Sequence, residues 1–297
     1  MNLKKSVTEV IRERCSWRSY DGRPLDEHSR KELEEFLSCA EDGPFGVPVR
    51  LHLVDRSASS SWRTRAFGTY GFISGTKQFL VGAVVQADKD LETYGYVFEK
   101  AVLFATELGL GTCWIGGTFN RSSFAREIAL RENETLPAIS PVGHKRTKQG
   151  ALDSMIHRAV GSANRKPWRD LFFYKNFDTP ISEANAGQYS VPLEMVRLAP
   201  SSVNAQPWRI IKIEGVNSFH FYLKRMGMGK RTADLCTPLD MQRLDIGIAM
   251  CHFDLTAQEM NLKGKWEILN PNLCPQRRGI EYVVSWVEEP PVETSDQ

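Results

Sequence analysis

Residues 198–213 read LAPSSVNAQPWRIIKI. Three small hydrogen-bonding side chains, Ser201, Ser202 and Asn204, stand on a predicted turn, and Gln206 adds an amide just before a run of strand-forming residues. A capped turn would explain the two serines, because Ser and Asn commonly bond to neighbouring backbone groups. It would not require the continuation Asn-Ala-Gln-Pro-Trp, so we predict that this turn also serves a ligand.

This stretch has a counterpart earlier in the chain. Residues 40–51, AEDGPFGVPVRL, align without a gap with 199–210, APSSVNAQPWRI, and both are followed by a predicted half-buried strand. Further on, ATELGLGTCW (105–114) aligns with AQEMNLKGKW (257–266). Chance similarity is the alternative, but the preserved order favours a degenerate tandem repeat.

Each of the two aligned segments at 105–114 and 257–266 begins near the end of a long predicted helix. These helices run from about residue 91 to 108 and from about 239 to 260, and both are apolar nearly all round. Helices of that kind are buried, so the two are expected to pack together at the centre of the molecule.

The length of 297 residues suits one large domain or two of average size. We expect a first half at 1–165 and a second half at 191–297. Between them, 166–190 contains the polar run SEANAGQYS and is predicted to be a linker.

Composition excludes several classes of protein. A net charge of +2 without a basic stripe argues against a nucleic-acid partner. No apolar stretch approaches the length of a membrane span, and the charged N-terminus does not resemble a signal peptide, so a soluble cytoplasmic protein is expected. The six Cys form no CxxC pair and the six His show no ligand spacing, so neither a disulfide framework nor a metal site is predicted.

Near the N-terminus, residues 12–20 read RERCSWRSY. Arg14, Ser16 and Arg18 alternate, which in an extended segment points all three side chains one way. Converging guanidinium groups would hold a phosphate or a carbonyl-rich ring. A solvated basic face is the alternative interpretation.

A glycine-rich segment, GLGTCWIGGTF, occupies residues 109–119. Gly116 and Gly117 would permit close approach of the backbone to a ligand. The pattern is not GxGxxG after a strand, so no Rossmann site is predicted, and an ordinary glycine helix cap is the alternative.

Taken together, these motifs resemble the nitroreductase family of flavoproteins, in a single-chain form similar to its TM nitroreductase group. The matching segments are RCSWR (14–18), ELGLGTCWIGG (107–117), PVGH (141–144), NRKPWRDLFF (164–173) and APSSVNAQPWRI (199–210). The resemblance implies an α+β fold with three α-β-α layers. Family members are usually homodimers that bind FMN between subunits, so it also implies two similar halves that form an intramolecular pseudo-dimer around central helices.

The motifs are divided between the two halves. The first half keeps Arg-x-Ser-x-Arg, whereas the second keeps Ser-Ser-x-Asn-x-Gln-Pro-Trp. The resemblance therefore implies one composite FMN site whose mate has decayed, in a chain that works as a monomer. The cofactor-binding residues carried over from the family are Arg14, Cys15, Ser16, Arg18, Trp114, Ile115, Gly116, Gly117, Arg165, Lys166, Pro200, Ser201, Ser202, Asn204 and Gln206.

The implied activity is that of an FMN-dependent NAD(P)H oxidoreductase. Hydride from NADH or NADPH would pass through the flavin to an electron-poor small-molecule acceptor in a ping-pong cycle. The flavin carries this chemistry, so no catalytic side chain is predicted. A non-reductase flavoenzyme of the same fold and a flavin-binding or sensing protein without turnover are the alternatives.

Overall fold

A computed structural model of the chain describes residues 3–39, 43–57, 73–146, 164–226, 239–269 and 279–289. Its helices and strands form a mixed α+β fold with two sheets. The counterpart segment at 40–51 lies partly outside the described residues.

The first half builds one antiparallel sheet. Its order is β1-β2-β5-β3, with β4 paired to the other part of β2. Strand β2, QFLVGAVV, is buried along nearly its whole length because the sheet is covered on both faces. The strands are β1 (Val49–Asp55), β2 (Gln78–Val85), β3 (Gly111–Thr112), β4 (Glu134–Thr135) and β5 (Ile139–Gly143); the helices are α1 (Val7–Glu13), α2 (Glu27–Ser38), α3 (Asp90–Glu107) and α4 (Arg121–Glu127).

The second half builds the other sheet, in the order β6-β7-β8-β10-β9. With β6 and β4 set aside, the two sheets have the same strand order and each has a long helix after its second strand. The strands are β6 (Phe172–Tyr174), β7 (Trp208–Lys212), β8 (Ser218–Lys224), β9 (Gly264–Glu267) and β10 (Ile280–Glu288); the helices are α5 (Trp168–Leu171), α6 (Ser190–Leu198) and α7 (Met241–Glu259).

The two predicted central helices are confirmed as α3 and α7, which pack on each other and on their own sheets. They cross at two glycines. A Cβ on Gly95 would lie 2.3 Å from the carbonyl oxygen of Leu244, and a Cβ on Gly247 would lie 2.0 Å from that of Glu92. The alignment that pairs Ala105 with Ala257 also pairs these glycines and these carbonyls, so the crossing is reciprocal.

The segment predicted as a linker, 166–190, forms regular structure. It contains α5, β6 and a 3-10 helix at Glu183–Tyr189. Strand β6 pairs in parallel with β7, with Phe172 opposite Ile210. The segment that follows the first half therefore forms the edge strand of the second sheet. Its Phe172 is buried in the main hydrophobic core.

One hydrophobic core runs through both halves, with α3 and α7 at its centre. A second cluster, including Phe79, Phe119 and Phe124, covers the other face of the first sheet. Among the residues described, no helix has the length and apolar character needed to cross a membrane.

Candidate functional site

The N-terminal motif lies beside the glycine-rich segment. Arg14 is the C-terminal cap residue of α1, and its backbone N–H donates to Val10. The chain then runs along β3, where Trp17 N donates to the carbonyl oxygen of Thr112 at 2.7 Å. Ser16 forms a parallel bridge with Thr112. Residues 14–18 and 111–117 are therefore neighbours.

Arg14 is a buried cation with a weak counter-charge. Its side chain is 5% exposed, and its Nε lies 3.9 Å from Glu99 Oε1, beyond hydrogen-bond distance. Within the described part of the chain, that Nε has no hydrogen-bond partner. A buried guanidinium in this state is suited to receive an anion.

The end of the first half docks on the loop that carries the Ser-Ser-x-Asn motif. Arg165 Nη1 donates to Asn204 Oδ1 at 3.0 Å, and Nη2 donates to the carbonyl oxygen of Leu198 at 3.1 Å. Next to it, Lys166 N donates to Gln206 Oε1 at 2.8 Å. Arg165 and Lys166, which we call the basic tail, thus form one unit with the loop 201–206.

Arg165 lies within electrostatic range of Arg14 and Arg197, and α1, which Arg14 caps, packs against α6, which carries Arg197. Burial lowers the pKa of Arg165 to about 10, and the nearby guanidinium groups of Arg14 and Arg197 contribute to the shift. Arg197 is paired with Glu194 through bonds of 2.7 and 2.6 Å. The excess positive charge therefore belongs to Arg14 and Arg165, which we call the arginine pair.

The loop itself has a strained backbone. Val203, Asn204 and Gln206 have φ values of 45°, 54° and 46°. Asn tolerates the left-handed region, but a β-branched valine there is an outlier. Such conformations cost about 1–3 kcal/mol each and cluster at functional sites.

The first turns of α7 join the loop to the glycine-rich segment. A Cβ on Gly116 would lie 2.2 Å from Met241 Cε, and Ser202 N donates to Asp245 Oδ1 at 2.8 Å. Met241 and Asp245 are four residues apart and therefore share one helix face. Neither residue belongs to a sequence motif. For Asp245, the sequence does offer one signal, because a carboxylate within an otherwise apolar helix is unusual.

Four of the residues carried over from the family are buried or hydrogen-bonded to other protein groups, and so support the site. Pro200 and Ile115 are buried, and Ile115 packs in the second core cluster. The indole of Trp114 donates to Glu99 Oε2 at 2.6 Å. The amide of Gln206 is used by Lys166 N, Asn164 O and Asn204, so it fastens the tail to the loop.

The remaining residues lie nearer the surface. Cys15 is exposed, and five other residues are partly exposed: Ser16, Arg18, Gly117, Ser201 and Ser202. Ser201 Oγ accepts from Gln206 N at 2.9 Å. Lys166 Nζ donates to the carbonyl oxygens of Ala205 and Gln206, which places it against the loop.

Within the part of the chain that the structure describes, no three His, Cys, Asp or Glu side chains are grouped so that they could hold a metal ion. The site is instead built from guanidinium groups, small polar side chains and backbone, and it draws on both halves of the chain.

Comparison with known proteins agrees with this architecture. A putative nitroreductase from Thermotoga maritima MSB8 superposes with a TM-score of 0.58 at 20% identity, over 98% of this chain and 97% of that one, which shows a common fold. A putative nitroreductase in complex with FMN from Desulfovibrio desulfuricans is 19% identical with a TM-score of 0.42, over 55% of this chain and 93% of that one. No curated protein matches the chain.

The family model described as "Putative TM nitroreductase" matches residues 6–257. That match covers α3, all but the last two residues of α7, and every element of the candidate site. The chain therefore belongs to the TM nitroreductase family.

Proposed function

We propose that this protein is an FMN-dependent NAD(P)H oxidoreductase with a single composite flavin site. The observation that carries the proposal is the meeting of Arg14, from the N-terminus, with Arg165 and the loop that holds Asn204. Membership of the nitroreductase family supports the reaction class.

The residues present fit FMN. A phosphate needs charged donors, and the arginine pair offers two desolvated guanidinium groups, one with a buried Nε that lacks a hydrogen bond within the described chain. Gly116 and Gly117 carry no side chain and are partly exposed, which suits the close approach of a flat ring to their backbone.

We assign the phosphate end to Arg14, Arg165 and Lys166, and the ring to residues from both halves. Ser16 and Arg18 would bind it from the N-terminal motif, and the backbone at Gly116 and Gly117 would approach it from the segment that follows β3. The second half would supply Ser201, Ser202 and Asn204, with Cys15 at the rim. Trp114, Ile115, Pro200 and Gln206 would hold these groups in place.

FMN, when bound, supplies the redox chemistry between NADH or NADPH and an electron-poor small-molecule acceptor. The chain's own part is to bind and orient. The arginine pair anchors one end by charge, and the strained loop fixes its serine and asparagine side chains in advance. Asp245 holds the backbone N–H of Ser202 and so fixes the loop on α7.

We further propose that the chain is a fused pseudo-dimer with two tandem halves, at 1–165 and 191–297. The shared strand order and the reciprocal glycine crossing support it. Homodimers of this kind would make the same helix crossing between subunits, so the fused chain is expected to work as a monomer.

Stopped-flow absorbance on FMN-loaded protein tests the activity. We expect the flavin absorbance to bleach on mixing with NADH or NADPH and to return when a nitroaromatic or quinone is added. Because donor and acceptor would use the same face in turn, double-reciprocal plots should be parallel. Bound FMN that neither nucleotide bleaches would favour the non-reductase or sensing alternative, and no FMN binding would contradict all three.

A further inference from the structure

A buried pair of ionisable side chains joins the two central helices behind the arginine pair. Glu99 on α3 and His252 on α7 are both fully buried, and His252 Nε2 lies 2.9 Å from Glu99 Oε1. These residues belong to none of the motifs, and one comes from each half of the chain.

The partners of His252 fix how many protons the pair holds. Its Nδ1 lies 2.9 Å from the backbone oxygen of Met195, which can only accept, so Nδ1 carries a hydrogen. Its Nε2 faces a carboxylate, and a bond there requires another proton between the two groups. Whether that proton is assigned to His252 or to Glu99, the pair as a whole is neutral.

Among the described residues, the remaining contacts of Glu99 leave Arg14 Nε without a hydrogen-bond partner. Trp114 Nε1 donates to Oε2 at 2.6 Å, while the shared proton occupies Oε1. Arg14 Nε stays 3.9 Å away. The trio of Arg14, Glu99 and His252 therefore has a net charge of +1, located on Arg14 at the edge of the proposed phosphate site.

We infer that His252 is a positioning residue that acts through Glu99 to keep Arg14 available to an anion, and so sets the preference for FMN over riboflavin. The inference rests on the proposed function. Without His252, Glu99 would be an ionised carboxylate beside Arg14. It would then pair with that guanidinium in competition with the ligand's phosphate.

The test is the ratio of the riboflavin Kd to the FMN Kd, measured by flavin fluorescence for the wild type and three variants. His252→Gln removes the shared proton and brings the trio to zero charge, so the ratio should fall about tenfold, as expected for one charge at close range. Glu99→Gln with His252→Gln restores +1 and should return the ratio to within about threefold of wild type.

His220→Gln is the matched control. His220 is also buried, and its Nδ1 bonds to Ser285 in the second sheet. Burial lowers the pKa of His220 to about 4, so it is neutral at pH 7. Its replacement removes a buried imidazole but no charge, and the ratio should not change.

The outcomes separate the two claims. A wild type that binds neither FMN nor riboflavin contradicts the proposed function. A wild type that prefers FMN, with a His252→Gln variant that keeps the same ratio, overturns the role of His252 alone. Equal loss of both ligands in the single and double variants would also overturn it.

If His252→Gln does not fold, nitrogen NMR of the wild-type holoprotein tests the inference instead, because it shows whether His252 Nε2 shares a hydrogen with Glu99. A hydrogen shared between His252 Nε2 and Glu99 is expected, and a bare Nε2 beside an ionised carboxylate would contradict the inference.

Discussion

Single side chains connect parts of the chain that are far apart in sequence. Arg165 is the clearest case, because its guanidinium bonds to Asn204 and to the carbonyl of Leu198 while lying close to Arg14. Removing it deletes two hydrogen bonds and half of the arginine pair.

Arg165→Gln should therefore weaken FMN binding by about 10- to 100-fold, since a charge-assisted hydrogen bond contributes about 1.5–3 kcal/mol. Fluorescence titration measures the Kd. The control is Arg56→Gln, at a buried arginine that stacks 4.1 Å from the ring of Phe124, away from the site. Equal FMN affinity in Arg165→Gln and wild type would remove Arg165 from the site.

Val203 tests the strain in the loop. It is 48% exposed and sits at φ 45°. Val203→Gly should raise the free energy of unfolding by about 1 kcal/mol, because glycine avoids the left-handed penalty. Urea denaturation of the apoprotein gives the value.

Val216→Gly is the comparison for that variant. Val216 is 54% exposed and is not among the residues with positive φ, so glycine there should destabilise the fold. A destabilised Val203→Gly would mean that the loop is not strained.

At this scale, the sequence indicates candidate residues that lie in local motifs, such as Arg14 and Asn204, but not the residues that support them. Glu99, His252 and Asp245 lie in helices recognised by their apolar character, and pairing between helices is decided only by tertiary packing. For the same reason no pattern indicated that the amide of Gln206 would be used to hold the tail.

At the scale of elements, the crossing of α3 and α7 organises the molecule. Both helices were predicted to within two residues at each end, because segments apolar on all sides can only be buried. Strand β6 was missed and its segment was read as a linker. It has three residues and pairs with a strand more than thirty positions away, so no local signal marked it.

Gly247→Ala should destabilise the protein by about 1–3 kcal/mol, because the added methyl group meets the Glu92 carbonyl at 2.0 Å and backbone cannot easily move aside. Helix propensity alone predicts the opposite, a gain of about 1 kcal/mol. Gly95→Ala should behave in the same way, since its contact is the reciprocal one. Chemical denaturation decides, and a gain in stability at either position would contradict the close crossing.

At the scale of the whole molecule, the chain contains within itself the contact that a dimer would make between subunits. The core is continuous across both halves, and β6 ties the end of the first half into the second sheet. If the proposed pseudo-dimer is correct, these two links complete the site within one chain.

Light scattering should therefore find a monomer, and FMN should stay bound when the protein is diluted. Flavin that is lost in step with dissociation of a dimer would show instead that a second copy is needed.

The central claim is that the two halves share one flavin site. The motif that contains Arg14 occurs only in the first half, and the motif that contains Asn204 occurs only in the second. The direct measurement is the amount of FMN released by denaturing FMN-saturated, desalted protein, divided by the amount of chain. We predict one FMN per chain. A ratio near two would show that the second position also binds, and a ratio near zero would show that the site holds no flavin.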